Sequence, residues 1–381
     1  MQTTPFQLNL PASIECGRGC STGAAAAIRT RGQRVLLVHG SRAERANWLV
    51  DALTARDAAL ETMACPREPD LALVEAGVKA GRAQGVEVVV ALGGGAAIDL
   101  AKALAGLIPA HGAVLDYLEV VGRGAALDAT PLPWVALPTT AGTGAEVTAN
   151  AVIGVPKAQR KVSLRDPRLL ADLAFVDPAL TDDSPAPVTL ASGLDAMTQV
   201  IEPYISRQAN RFTDLLCRDA VPRGLRALQA LMQSESSTAR DEMAWVSLCG
   251  GLALANAKLG AVHGLAGPLG GVLSAPHGAI AGALLPPVLH TNRALCQGES
   301  ARRIDQVLDW IGEAFAVDRS HALEALAQWS RREGLPGLDA MGLRAADRGA
   351  IAEAATASSS MQGNPVTLSV SQLVEIMEAA A

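Results

Sequence analysis

Three short apolar runs, each unbroken and each followed by small or hydroxylated residues, constrain this chain more than any other feature. They are residues 34–40 (RVLLVHG), 86–92 (VEVVVAL) and 133–137 (PWVAL). Runs of this length with little polar alternation read as strands buried on both faces, and the stretches between them carry helical patterning. A parallel sheet with crossover helices is therefore expected over roughly residues 34–140. One crossover is residues 70–84, where Leu71, Val74, Val78 and Ala83 make an apolar stripe.

The second run opens into GGGAAIDLAKA (residues 93–103) and the third into PTTAGTGAEVT (138–148). Glycines at a strand end that lead into a helix leave bare backbone N–H groups facing outward. That suits either a tight strand-to-helix connection or a phosphate cradle, with a dinucleotide pyrophosphate as the guest. Two such loops at one carboxyl edge favour binding over a pair of hydroxyl-capped turns. Gly93, Gly94, Gly95, Thr139, Thr140 and Thr143 are the cofactor-lining candidates.

After the proline-rich joint at 181–187 (TDDSPAP) the patterning becomes helical throughout. Ile304, Val307, Leu308, Ile311 and Phe315 form one stripe, and residues 241–259 read as an Ala/Gly-rich helix. The expected architecture is an α/β dinucleotide-binding domain with a Rossmann-like parallel sheet over 1–180, followed by an all-helical metal and substrate domain over 181–381. Into this second half fall His263 and His277, two of the six histidines, within an apolar, glycine-rich run. Imidazole is the commonest side-chain metal ligand. An anionic partner is available in Asp195, and Gln199, four residues on, shares its helical face.

Composition removes several classes of function. A net charge of −6 and the lack of a basic stripe argue against nucleic acid, and 3% aromatic content leaves no stacking platform. No run approaches the ~18 apolar residues of a membrane span, and the start lacks the charged-then-apolar pattern of a signal peptide. A cytoplasmic protein without membrane association is expected. The six cysteines are scattered and read as reduced packing residues.

Taken together, LPASIECGRG, GGGAAIDLAKA, DYL at 116–118, PTTAGTGAEVT, FVDP at 175–178, SGLDAMTQVIEPY and AVHGLAGPLGGVLSAPHGAIAGALLPPVL resemble the iron-containing (group III) alcohol dehydrogenases over nearly the whole chain. The resemblance implies an NAD(P)-dependent oxidoreductase acting on a small alcohol or aldehyde, assisted by Fe2+ or Zn2+, and a homo-oligomer such as a dimer. It places the metal ligands, and so the catalytic centre, on Asp195, Gln199, His263 and His277. Typical members carry histidine where Gln199 stands, and many carry another where Gly267 stands. It adds Asp99, Lys102 and Lys161 to the cofactor site. Gly40, with Ser41 and Arg42 after it, aligns where NAD-specific members carry a ribose-binding aspartate, so NADP is expected to be accepted. Alternatives within this resemblance are a metal-independent reductase like the maleylacetate reductases and a degenerate, non-catalytic cofactor-binding homologue. The lyase dehydroquinate synthase is a more distant cousin.

Overall fold

A computed structural model describes residues 5–158 and 160–381. The chain divides into two compact units. One holds Asn9–Thr140 and Gly144–Asp182, and the other holds Ala141–Thr143 and Asp183–Ala381 with the segment up to Leu8.

The first unit is built on β1 (Ile14–Cys16), β2 (Arg34–His39), β3 (Ala59–Ala64), β4 (Val88–Gly93), β5 (Trp134–Pro138), β6 (Asn150–Val155), β7 (Arg160–Arg165) and β8 (Leu173–Val176). Six of these make a wholly parallel sheet in the order β1-β8-β5-β4-β2-β3, and β6 pairs antiparallel with β7. The central strands β2, β4 and β5 are the three apolar runs, buried from end to end apart from Arg34. Their limits shift by one or two residues. Val86 is not in β4, because its N–H closes the preceding helix on the Gly81 carbonyl at 3.0 Å. The edge strand β3 (ALETMA) and the β6–β7 hairpin lie outside the sequence expectation. Both mix polar and apolar residues, with one face left open to solvent.

The helices of this unit are α1 (Ala24–Arg29), α2 (Asn47–Thr54), α3 (Leu71–Gln84), α4 (Gly95–Leu107) and the single turn α5 (Val114–Tyr117). α3 starts where Asp70 accepts a hydrogen bond from the Leu73 N–H at 2.9 Å, and it ends at Gly85 in the left-handed conformation. Its buried face is Val74, Gly77, Val78 and Gly81, and Ala83 is exposed, contrary to the expected stripe. The glycines are needed for close approach. A Cβ on Gly77 would stand 2.6 Å from Leu104, and one on Gly81 2.4 Å from Ile108, so α3 lies directly against α4.

The second unit is helical: α6 (Ala186–Ile205), α7 (Arg211–Gln233), α8 (Ser237–Ala257), α9 (Ala261–Val272), α10 (His277–Leu295), α11 (Gly298–Phe315), α12 (Ala322–Arg332), α13 (Arg348–Thr356) and α14 (Val370–Ala379). Ile304, Val307, Leu308 and Ile311 are buried on α11, with Phe315 packed beside them. α8 begins earlier than the sequence suggests, because the Ser236 side chain accepts from the Ala239 N–H. Among the described residues no single helix is long and apolar enough to cross a membrane.

Candidate active site

Helix α6 presents Asp195, Gln199 and Glu202 at spacings of four and seven, so all three lie along one face. Each is only 2% exposed. The N-terminal end of α10 packs onto this helix so closely that a Cβ on Gly278 would stand 2.1 Å from the Ala191 carbonyl oxygen. That contact carries the neighbouring His277, at the first position of α10, to Asp195. His263 comes from the first turn of α9. Its Nε2 stands 3.3 Å from Oδ1 of Asp195, and Nε2 of His277 stands 4.0 Å from the same oxygen. One ligand atom from each of the three residues lies within 4.8 Å of the others. The two imidazole rings are 5.4 Å apart, and His277 alone is partly open to solvent.

Burial alone would push the Asp195 carboxyl up, yet the two imidazoles beside it hold it below the usual carboxylate value. For His263 burial works the other way and would lower it. The carboxylates of Asp195 and Glu202 overcome that and push it up to about 9. These groups therefore satisfy part of one another's charge.

The donor set fits a divalent ion. Tetrahedral ligands at about 2.1 Å from an ion stand ~3.4 Å from each other, close to the spacing seen around Asp195. Moreover Oδ1 of Asp195 and Oε1 of Gln199 are both buried without a hydrogen-bond partner. Two such oxygens one helical turn apart, beside two imidazoles, are a donor pair that a cation would satisfy more fully than the ion pair of Asp195 with His263 does. The Gln199 amide is oriented by its other end, where Nε2 donates to the Gly142 carbonyl at 3.2 Å.

In the sheet unit the glycine and threonine loops meet at the carboxyl edge of β2, β4 and β5. The Thr139 N–H donates to the Gly93 carbonyl at 3.0 Å, and a Cβ on Gly93 would stand 3.3 Å from the Gly40 nitrogen. A Cβ on Gly94 would stand 3.1 Å from the Thr140 hydroxyl. Gly94 is the N-cap of α4 and supplies no side-chain cap, so the first N–H groups of α4, beginning with Gly95, have none from it. Gly40, Gly93, Gly94, Gly95, Thr139 and Thr140 are thus brought together, and Ser41 and Arg42 follow as exposed residues. Thr143 is grouped with the helical unit.

Lys102 and Lys161 are placed differently. The Lys102 amine is fully buried and donates to the Ala145 carbonyl (2.7 Å), the Thr148 hydroxyl (2.9 Å) and the Asn150 carbonyl (2.8 Å). It fastens the loop after β5 to α4. Burial lowers its basicity and raises Asp99, while the two oppose those shifts in each other. Buried Glu146 nearby is pushed up to about 7 by desolvation, with Lys102 opposing. Lys161 stands on β7 in an ion pair with Glu68.

Sequence reasoning passed over Glu202 and Glu146. Glu202 accepts from Nδ1 of His263 at 2.7 Å, and its signal was its place seven residues after Asp195 on the same helix. Nothing in the local pattern marked Glu146, whose burial follows from the loop's tertiary packing.

Comparison with known proteins accounts for this arrangement. Residues 11–178 match the family described as iron-containing alcohol dehydrogenase, and residues 189–381 match the C-terminal domain of the same family. The chain is 34% identical to a lactaldehyde reductase of Escherichia coli (strain K12), over 82% of this chain and 81% of the relative. It is 30% identical to an NAD-dependent methanol dehydrogenase of Bacillus methanolicus, over 97% and 98%. Among solved structures, a 1,3-propanediol oxidoreductase superposes with a TM-score of 0.88 at 27% identity, covering 99% of this chain and all of that one. With matches spanning both units, the chain belongs to the iron-containing alcohol dehydrogenase family.

Proposed function

We infer that the protein is an NAD(P)-dependent oxidoreductase that moves a hydride between a nicotinamide and a small alcohol or aldehyde. The observation that carries this reading is the convergence of Asp195, His263 and His277 around a buried carboxylate oxygen that no hydrogen bond satisfies. A divalent ion bound there supplies Lewis acidity to a substrate oxygen, and the nicotinamide supplies or takes up the hydride.

The chain's own residues divide the remaining work. Asp195, His263 and His277 hold the ion, with the Gln199 amide oxygen turned toward the same space. The family description points to iron and gives the zinc expectation no support. Gly93, Gly94 and Gly95 offer backbone to the pyrophosphate at the start of α4. Thr139, Thr140 and Thr143 flank it, while Asp99 and Lys102 brace the loops from behind. Gly40, Ser41 and Arg42 take the adenosine ribose and accept a 2′-phosphate, and Lys161 borders the cofactor. Gly267 offers no side chain for proton transfer, so the proton leaves by water. A cytoplasmic dimer completes the reading on family resemblance alone, and size-exclusion chromatography with light scattering tests the dimer.

The deciding experiment is metal analysis of protein purified without chelator, combined with an aldehyde panel using NADH and NADPH. About one ion per chain, with turnover that disappears on chelation and returns on adding Fe2+, is the expected result. Full turnover in metal-free protein overturns the metal-assisted mechanism.

A further inference from the structure

Glu202 makes more contacts at this site than any sequence signal announced. Its Oε1 accepts from the Val262 N–H at 2.7 Å. Its Oε2 accepts from Nδ1 of His263 at 2.7 Å and, at the long distance of 3.4 Å, from the His263 N–H. The carboxylate thus caps the first turn of α9 from another helix and holds the ring of the ligand which that turn carries. The remaining N–H of the turn, on Ala261, goes to Oδ1 of Asn364 at 3.1 Å. α9 has no side-chain cap of its own, since its N-cap is Gly260. A Cβ at Gly260 would stand 2.8 Å from Oε1 of Glu202, so the chain is kept bare where the carboxylate enters.

We propose that Glu202 is a positioning residue for the metal centre: it fixes His263 as the Nδ1–H tautomer and aims Nε2 at the ion shared with Asp195. The proposal rests on the metal-assisted reading above. A carboxylate only accepts, so the hydrogen between it and Nδ1 must sit on the imidazole, and Nε2 is then the nitrogen that gives up its proton and offers its lone pair to an ion. Backbone and ring are held by the same group, so rotating the ring gives up its bond to a carboxylate that the helix cap keeps in place.

Glu202→Gln separates this role from simple packing. The amide has the same shape but carries donors on one end, and the Val262 N–H, the His263 N–H and Nδ1–H that face the two carboxylate oxygens are all donors. If the NH2 replaces Oε2 it faces Nδ1, which must then accept, moving the ring proton to Nε2 where it blocks the ion. If it replaces Oε1 it faces the Val262 N–H and the cap is lost.

The test titrates metal-free full-length protein with Zn2+ against a chromophoric chelator, for wild type and Glu202→Gln. The same preparations are melted without metal to separate lost stability from lost affinity. The expected result is a Kd weakened by about 10–100-fold in the variant, the range typical when a partner behind a ligand is removed. A variant that binds Zn2+ within about threefold of wild type, whatever its Tm, overturns the proposal and leaves the metal reading intact. Wild-type protein that binds no Zn2+ or Fe2+ overturns both. A measurement on wild type alone guards against a variant that fails to fold. 15N-histidine spectra of the Zn2+-loaded protein should show His263 with its hydrogen on Nδ1 and the metal on Nε2, and metal on Nδ1 overturns the assignment.

Discussion

The side-chain amide of Gln199 joins α6 to the Gly142 carbonyl: Nε2 donates across 3.2 Å, and Oε1 is left buried without a hydrogen-bond partner. An amide oxygen is a weaker donor than imidazole toward Fe2+. Gln199→His should therefore tighten divalent-metal binding by about tenfold or more, equivalent to ~1.4 kcal/mol. Gln199→Leu should loosen it. Titration of metal-free protein reads both, and equal affinities in all three proteins would show that residue 199 does not reach the ion.

Removing a histidine should be more severe. His263→Ala or His277→Ala leaves two of the three strong donors, too few for a stable site. Metal content after dialysis should fall to background and turnover with it. Retained activity in either variant would remove that residue from the centre.

Cofactor preference has its own handle. A Cβ on Gly40 would meet nothing within 4 Å, so the backbone there has room for a side chain to start. Wild type should use NADPH at least as well as NADH, and Gly40→Asp should shift kcat/KM strongly toward NADH. A carboxylate about 5 Å from a 2′-phosphate costs on the order of 3 kcal/mol per unit charge at an effective dielectric near ~20. A wild-type enzyme that already rejects NADPH would sink this placement.

Lys102 is expected to matter through the fold. Lys102→Met keeps the volume but leaves the oxygens of Ala145, Thr148 and Asn150 without the amine. The loss should reach about 3 kcal/mol in urea unfolding, with weaker cofactor binding because the loop after β5 is no longer fastened. Unchanged stability would mean that water replaces the amine.

Asp177 gives a pH signature. Burial pushes its carboxyl up, but the Ser21 hydroxyl and the N–H groups of Gly19, Ser21 and Ala179 outweigh that and hold it below 3.8. A lowered folded value means the stabilisation is complete above the ordinary carboxylate range and is lost as pH falls through the folded value. Asp177→Ala should cost about 3 kcal/mol at pH 7, and the gap from wild type should narrow below pH 3.8. A gap independent of pH would show that the charge is not what matters.

The central strands could be read directly because burial on both faces leaves an unbroken apolar run, as in VEVVVAL. β3 and the β6–β7 hairpin could not, since an edge or open face admits Glu61, Thr62, Arg160 and Ser163. Asp195 and Gln199 declared their shared face by spacing. The pairing of His263 with Glu202 joins positions 61 residues apart, and only the packing of α9 on α6 creates it. Lys102 shows the converse: the family resemblance adds it to the cofactor site, but its amine turns inward to three protein oxygens.

The caps of α9 also bear on the order in which the chain can mature. The helix carrying His263 is closed by Glu202, already made when α9 emerges, and by Asn364, about a hundred residues later. During synthesis from the N-terminus, Asp195, His263 and His277 all exist well before Asn364 does. The first turn of α9 then still has one amide open, so a nascent or C-terminally truncated chain carries all three side chains but not the finished cap of α9. Closure of the first turn of α9 is thereby tied to completion of the polypeptide, and long-range contacts of this kind are among the slowest to form.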